Sequence, residues 1–396
     1  MNPIIHSANR YLLGTYKRPP VVFDHGEGPY LFDTDGSRYL DFIAGIGVNA
    51  LGYNHPLVRQ ALTEAAQGII HLSNLYHSKA PIELARLLVS RTFESRVFFA
   101  NSGSEAVETA LKISRKWGKR FNPERTKILA FENSFHGRTL GAVSVTFTEE
   151  YRKPFGPVLP GVVFLPFNDV AALERTDFTE FCCAIVEPVQ GEGGLTPANP
   201  EFLATLREKT RQNEAVLIFD EIQCGVSRSG KLYAYQHYGI EPDILLTAKA
   251  LGAGFPISAA LIKPKFAGPI QPGDHGSTFG GNPFISHVAK RAFALLSSPG
   301  FLRHVRGVAK YFEENLIQLQ EKYAFIREIK GIGLMRGFKI DRPVSKLVEE
   351  AFAHRLLVAK AGNDVLRFLP PLIIGRKQVD EATGILDTIF KKESGR

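Results

Sequence analysis

The sequence predicts an α/β protein whose large domain is built on a mostly parallel central sheet, accompanied by a smaller α+β lobe. Three observations carry that expectation. Apolar runs at 182–186, 216–219 and 244–246 are unbroken and end abruptly at polar residues, the pattern of strands buried on both faces. Stretches with helical spacing accompany them, among them Ala110, Leu111 and Ile113, and Leu203 with Leu206 after Pro200. A chain of 396 residues, 44% hydrophobic, has room for two domains and a sizeable core.

The chain opens with short extended runs. Val21, Val22 and Phe23, then Tyr30, Leu31 and Phe32, precede a hairpin turn at Asp33, Thr34, Asp35 and Gly36, and Tyr39, Leu40, Asp41 and Phe42 return, which describes a small antiparallel lobe. Gly45, Gly47 and Gly52 then crowd residues 43–55. They mark backbone that passes close to a ligand or a neighbouring subunit, or else a mobile loop. From Pro81 the spacing is helical, with Ile82, Ala85, Leu88 and Val89 on one face. The run 96–100 reads as a strand ending at Asn101, Ser102, Gly103, Ser104 and Glu105, ahead of a helix. A Ser-Gly-Ser turn at a helix start offers free N–H groups, two hydroxyls and the positive end of the dipole, which suits a phosphate. Taken alone, a plain N-cap with Glu105 in the first turn is the better reading.

Residues 127–131 lead to Phe135, His136, Gly137, Arg138 and Thr139. Phe135 offers a flat apolar face to a ring and Arg138 a planar fork to a carboxylate, while for His136 packing is as good a reading. The run 182–186 closes at Glu187, with Glu192 a few residues on, and the run 216–219 closes at Asp220 and Glu221. After 244–246 the first charge is Lys249, between Ala248 and Ala250. Ligands of open α/β sheets bind beyond the carboxyl ends of the strands, so Asp220 and Lys249 are expected in one crevice. Residues 274–283 are too polar and glycine-rich for a core. In the last third, Leu347, Val348, Ala351 and Phe352 share a helix face, and 356–358 and 365–369 look extended, an α+β lobe. Arg367 is the lone charge of its apolar run and needs a carboxylate partner if buried.

An amine and a carboxylate facing one crevice suit pyridoxal phosphate. A lysine condenses with its aldehyde, and a carboxylate at the pyridine nitrogen keeps the ring protonated so that it accepts carbanion electrons. Gln223 is placed to donate to the phenolic oxygen of the ring. The alternative is Asp220 capping a turn and Lys249 reaching solvent. It is weakened by the Ala/Leu/Gly surroundings of Lys249, whose burial would favour a nucleophilic amine.

Asp220, Glu221, Ile222 and Gln223, then Gly225, Arg228, Gly230 and Lys231, then Pro242 and Asp243 through Lys249, Ala250, Leu251 and Gly252, resemble the signature of the class-III aminotransferases, pyridoxal-phosphate enzymes of transferase fold type I. The resemblance runs from Asn9 to Pro371. It implies a large cofactor domain over 61–289 and a small domain built from both termini, 1–60 and 290–396. It assigns Ser102, Gly103 and Ser104 to the cofactor phosphate, Phe135 to the ring face, Arg138 to a substrate carboxylate, and Arg367 to the substrate α-carboxylate with Glu192 as its resting mate. It also implies a homodimer with a shared active site, Thr278 reaching the partner subunit's phosphate and Ser277 lying beside the substrate. A small-molecule amino donor and 2-oxoglutarate are the implied substrates. Ile46 stands where relatives acting on a free α-amine carry a tyrosine, and an apolar residue fits an acylated amine better. One departure is Val107, where the family usually has Asn. An idle cofactor-binding scaffold is the reading from another class, yet such a protein would be free to lose Lys249 or Arg367.

Other functions lack support. Net charge is +8, but Lys and Arg are interleaved with Asp and Glu, so a basic surface is preferred to nucleic-acid binding. No run approaches the ~18 apolar residues of a membrane span, and the first residues do not resemble a signal peptide, so a cytoplasmic protein is expected. Cys182, Cys183 and Cys224 form neither a disulfide framework nor a metal set, and the histidines lack ligand spacing, so no metal is expected. The segment 225–232 misses a nucleotide-binding P-loop because Leu232 stands where Ser or Thr must hold magnesium.

Overall fold

Strands that bury both faces need layers above and below them, and the computed structural model, which describes residues 2–395, supplies both. One sheet has seven strands in the order Arg96–Ala100, Ser258–Ile262, Ile244–Thr247, Val216–Asp220, Phe181–Val186, Lys127–Phe131, Val162–Leu165. From Ile244–Thr247 to Val162–Leu165 all neighbours pair in parallel, while Ser258–Ile262 runs antiparallel to both of its neighbours. Every residue of Phe181–Val186, Val216–Asp220, Ile244–Thr247 and Ser258–Ile262 is buried, which is why polar residues stand only at strand ends, as Asp220, Thr247 and Ser258 do.

Side chains alternate between the two layers, as strand geometry requires. Val216 and Ile218 join Ile128, Ile185 and Leu246 against Ala106, Ala110, Ile113 and Trp117 of the Gly103–Gly118 helix. Leu217 and Phe219 face the other way, into a larger core with Phe202 and Leu206 of the Pro200–Gln212 helix and Val288 and Phe293 of the Pro283–Leu296 helix.

Two further four-stranded sheets flank this body. Phe23–Glu27, Tyr30–Asp33 and Arg38–Asp41 form an antiparallel meander, and Leu356–Leu357 adds in parallel to Arg38–Asp41, with Leu356 opposite Leu40. The hairpin turn is where the sequence places it, Asp33 Oδ1 accepting from the N–H groups of Asp35 and Ser37. The other sheet holds Ile326–Ile332, Met335–Ile340, Val365–Phe368 and Ala359–Ala361, all antiparallel, and carries Arg367.

Two expectations change. The first strand is Phe23–Glu27, so Val21 and Val22 lie ahead of it. In the Lys79–Arg91 helix the buried residues are Leu84 and Leu88, and Ile82 is 56% exposed, because the face turned to the Pro283–Leu296 helix is offset from the one that spacing suggests. Within 43–55 the chain makes a short helical turn, Ala44–Gly47, in which Gly45 and Ile46 both have φ of 62°. For a β-branched residue such as Ile46 that backbone costs on the order of 1–3 kcal/mol. Among the described residues no helix is long and apolar enough to cross a membrane.

Candidate active site

Four of the polar side chains stand at or just past the end of a strand. Asp220 ends Val216–Asp220, Lys249 follows Ile244–Thr247, Glu187 follows Phe181–Val186, and Asn101 follows Arg96–Ala100. These ends converge on a cavity of about 420 Å³. Its walls hold Lys249, Asp220, Ser102, Gly103, Ser104, Phe135, Gln223 and Glu192, together with Asn101, His136 and Glu187. Asp220 and Lys249 thus share one chamber. Lys249 itself sits at φ 41°, a left-handed backbone maintained only where the surroundings enforce it.

Asp220 is buried and held from two sides. Its Oδ1 accepts the N–H of Ile222 at 3.1 Å, and its Oδ2 lies 2.7 Å from His136 Nδ1. His136 is buried as well, and its Nε2 has no partner. The sequence left His136 between packing and function; the geometry makes it the residue that orients Asp220. Burial pulls the Lys249 amine down to about 8, against the opposing influence of Glu192. Burial also pushes the Glu187 carboxyl up to about 7, although Glu187 accepts N–H groups from Phe135 at 3.0 Å and Gly191 at 2.9 Å.

Arg367 is buried with a mate, as its place in an apolar run requires. Its Nη1 donates to Glu192 Oε1 at 2.5 Å and to Gln223 Oε1 at 3.4 Å, and Gln223 Nε2 donates to Glu192 at 3.4 Å. Burial alone would raise the Glu192 carboxyl, but Arg367 outweighs it and holds that group below the ordinary value. The amide of Gln223, expected to face a ring oxygen, is engaged by this pair.

Arg367 does not itself line the cavity, although its mate Glu192 does, and three further candidates lie outside it. Arg138 is exposed on its rim, its N–H donating to Ser104 Oγ at 3.1 Å and its guanidinium 3.4 Å from the centre of the Tyr151 ring. Ser277 accepts from Asn101 Nδ2 at 3.3 Å, and Thr278 is exposed, so neither lines the cavity of its own chain. Glu187, Asn101 and Tyr151 went unassigned in the sequence. Glu187 had a signal, being the first charge after a buried run, like Asp220; Asn101 and Tyr151 had none.

The residues fit pyridoxal phosphate. At the start of the Gly103–Gly118 helix the N–H groups of Gly103 and Ser104 have no intrahelical acceptor, and Ser104 Oγ accepts from Arg138 and keeps its proton to donate. Ser102 is occupied differently. Its hydroxyl and N–H both bond Glu105 in a capping box, so the N-cap reading describes that side chain. Gly137 brings the 137–138 backbone against this turn, since a Cβ there would overlap Ser104 Oγ. A lysine for the aldehyde, a flat ring at Phe135 and a braced carboxylate for the ring nitrogen complete the set. Among the described residues no cluster could hold a metal ion.

Comparison with known proteins agrees. Residues 14–390 match the family model for class-III aminotransferases. The chain is 44% identical over 385 residues to the acetylornithine aminotransferase of Caldanaerobacter subterraneus, covering 97% of this chain and 98% of that one. It is 41% identical over 382 residues to the acetylornithine aminotransferase of Methanocaldococcus jannaschii, 96% of each. Among solved structures it superposes on the ornithine aminotransferase of Toxoplasma gondii with a TM-score of 0.94 at 33% identity, covering 99% of this chain and 96% of that one. For the N-acetylornithine aminotransferase of Stenotrophomonas maltophilia the TM-score is 0.86 at 33% identity, with 99% and 100% covered.

Proposed function

The chain belongs to the class-III aminotransferases, pyridoxal-phosphate enzymes of fold type I, and from that membership we propose that it moves the δ-amino group of N2-acetyl-L-ornithine to 2-oxoglutarate. The products are N-acetylglutamate 5-semialdehyde and L-glutamate, a step of arginine biosynthesis. The observation that carries the reading is the one chamber joining the Lys249 amine, the braced Asp220 carboxylate and Glu192, which carries Arg367 as its ion-pair mate. The choice of donor is supported by relatives of that name at 41% to 44% identity and by the apolar Ile46.

When bound, pyridoxal 5′-phosphate supplies an aldehyde that takes up the amino group and a ring that accepts the electrons of the broken C–H bond. Lys249 Nζ takes the proton from the amine-bearing carbon, its proton affinity lowered toward neutral pH by burial. Asp220 holds the proton on the ring nitrogen, and His136 holds Asp220 in place. Arg138 binds the α-carboxylate of the acylated donor while Arg367 stays on Glu192. When 2-oxoglutarate arrives, Glu192 releases Arg367 to take the α-carboxylate of the acceptor, with Ser277 beside the substrate. Buried ion pairs tolerate such exchange because one carboxylate replaces another without leaving the arginine unpaired.

The active unit is a homodimer in the cytoplasm. Support comes from the exposed hydroxyl of Thr278 and from the exposed apolar side chains of Ile69, Ile70, Leu75, Tyr76 and Phe279. A glutamate-formation assay over N2-acetylornithine, ornithine, succinylornithine, acetyllysine, succinyldiaminopimelate and 4-aminobutyrate tests the donor. The expected result is the highest kcat/KM for N2-acetylornithine; a strong preference for free ornithine, the donor named by the Toxoplasma neighbour, would overturn it.

A further inference from the structure

We propose that Tyr151 is a positioning residue for the donor carboxylate, holding the Arg138 guanidinium in the place where it meets that group. The inference rests on Arg138 being the carboxylate-binding residue. Tyr151 belongs to the short Glu149–Arg152 helix, outside the cavity walls, and nothing in its sequence surroundings marks it.

Its geometry does. The guanidinium carbon of Arg138 lies 3.4 Å from the centre of the Tyr151 ring, a face-on stack, and 5.5 Å from the centre of the Phe135 ring. The two rings meet edge to face, with centres 6.2 Å apart and planes at 88°. Phe135 is a wall of the cavity, so the stack ties Arg138 to the chamber through an aromatic bracket. The backbone end of the same arginine is fixed by its N–H bond to Ser104 Oγ and by Gly137, where a side chain would overlap that oxygen. An exposed arginine ordinarily loses rotamer freedom when it binds a ligand. With its N–H on Ser104 and its fork stacked on Tyr151, Arg138 presents the edge of the guanidinium, where the donors are, and keeps the face covered.

The test is a double-mutant cycle on the holoenzyme, read by steady-state kinetics with N2-acetylornithine and by calorimetric binding of N2-acetylnorvaline, which keeps the carboxylate and lacks the reacting amine. Tyr151→Leu is expected to raise KM and weaken N2-acetylnorvaline binding by about two- to fivefold with kcat nearly unchanged, the range of an exposed cation–π contact. Tyr151→Phe, which keeps the ring, restores both. Arg138→Met costs about tenfold to a hundredfold in KM, and Tyr151→Leu adds nothing to it. If Arg138→Met leaves KM and binding unchanged, the carboxylate assignment itself falls. If Arg138→Met is impaired but Tyr151→Leu behaves as wild type, lowers kcat instead, or is equally harmful without Arg138, the Tyr151 inference alone is overturned.

Discussion

Lys249 shows what burial does to an amine. Its folded value of about 8 lies below that of a free lysine, so the neutral, nucleophilic form is reached at lower pH. Covalent capture of pyridoxal phosphate by cofactor-free protein, followed by absorbance, should therefore accelerate as pH rises through about 8 and level off above it. Glu192 favours the protonated amine, so Glu192→Gln should move that midpoint down; an unmoved midpoint would show that the two groups are not coupled. Lys249→Ala should lower turnover by at least ~10²–10⁴-fold, the usual worth of a positioned acid–base group, and wild-type turnover in that variant would end the assignment. His136→Phe removes the partner of a buried carboxylate and should cost about tenfold or more in kcat, with the Lys249 midpoint as an independent readout. At this scale the sequence was informative where a charge interrupts apolar residues, as at Asp220, Lys249 and Arg367. It was silent on His136 and Asp220, 84 residues apart, because a hydrogen bond between distant segments leaves no mark on either one.

Among the elements, the buried strands were readable for a physical reason. A strand covered on both faces has no solvent side, so 182–186, 216–219 and 244–246 carry no polar residue. The Lys79–Arg91 helix was harder. Its apolar residues occupy more than one face, and which of them is buried depends on the neighbouring helix, so Leu84 was missed and Ile82 wrongly included. The junction between the Gly103–Gly118 helix and the 135–139 loop is where the elements are tightest. Gly137→Ala introduces a Cβ against Ser104 Oγ at φ 133° and should cost about 1–3 kcal/mol, seen as weaker cofactor binding in titration. Unaltered binding would mean that the loop relaxes without disturbing the 102–104 turn. The division into 1–60, 61–289 and 290–396 remains our proposal for the domains.

The whole molecule is proposed to work as a pair, and a mixing experiment decides it. Lys249→Ala and Thr278→Asp protomers should each be poorly active alone. If Thr278 serves the partner's cavity, the mixed dimer contains one site with both lesions and one with neither, so activity returns on mixing. No recovery in a verified mixed dimer would place Thr278 in the service of its own chain. The sheet that joins Leu356–Leu357 to Arg38–Asp41 has a further consequence for how the protein is made. During translation the first strands leave the ribosome long before their last partner exists, and they wait with an unsatisfied edge through the synthesis of about three hundred residues. The newborn chain is thus most exposed to aggregation, and most in need of a chaperone, at the end it finished first.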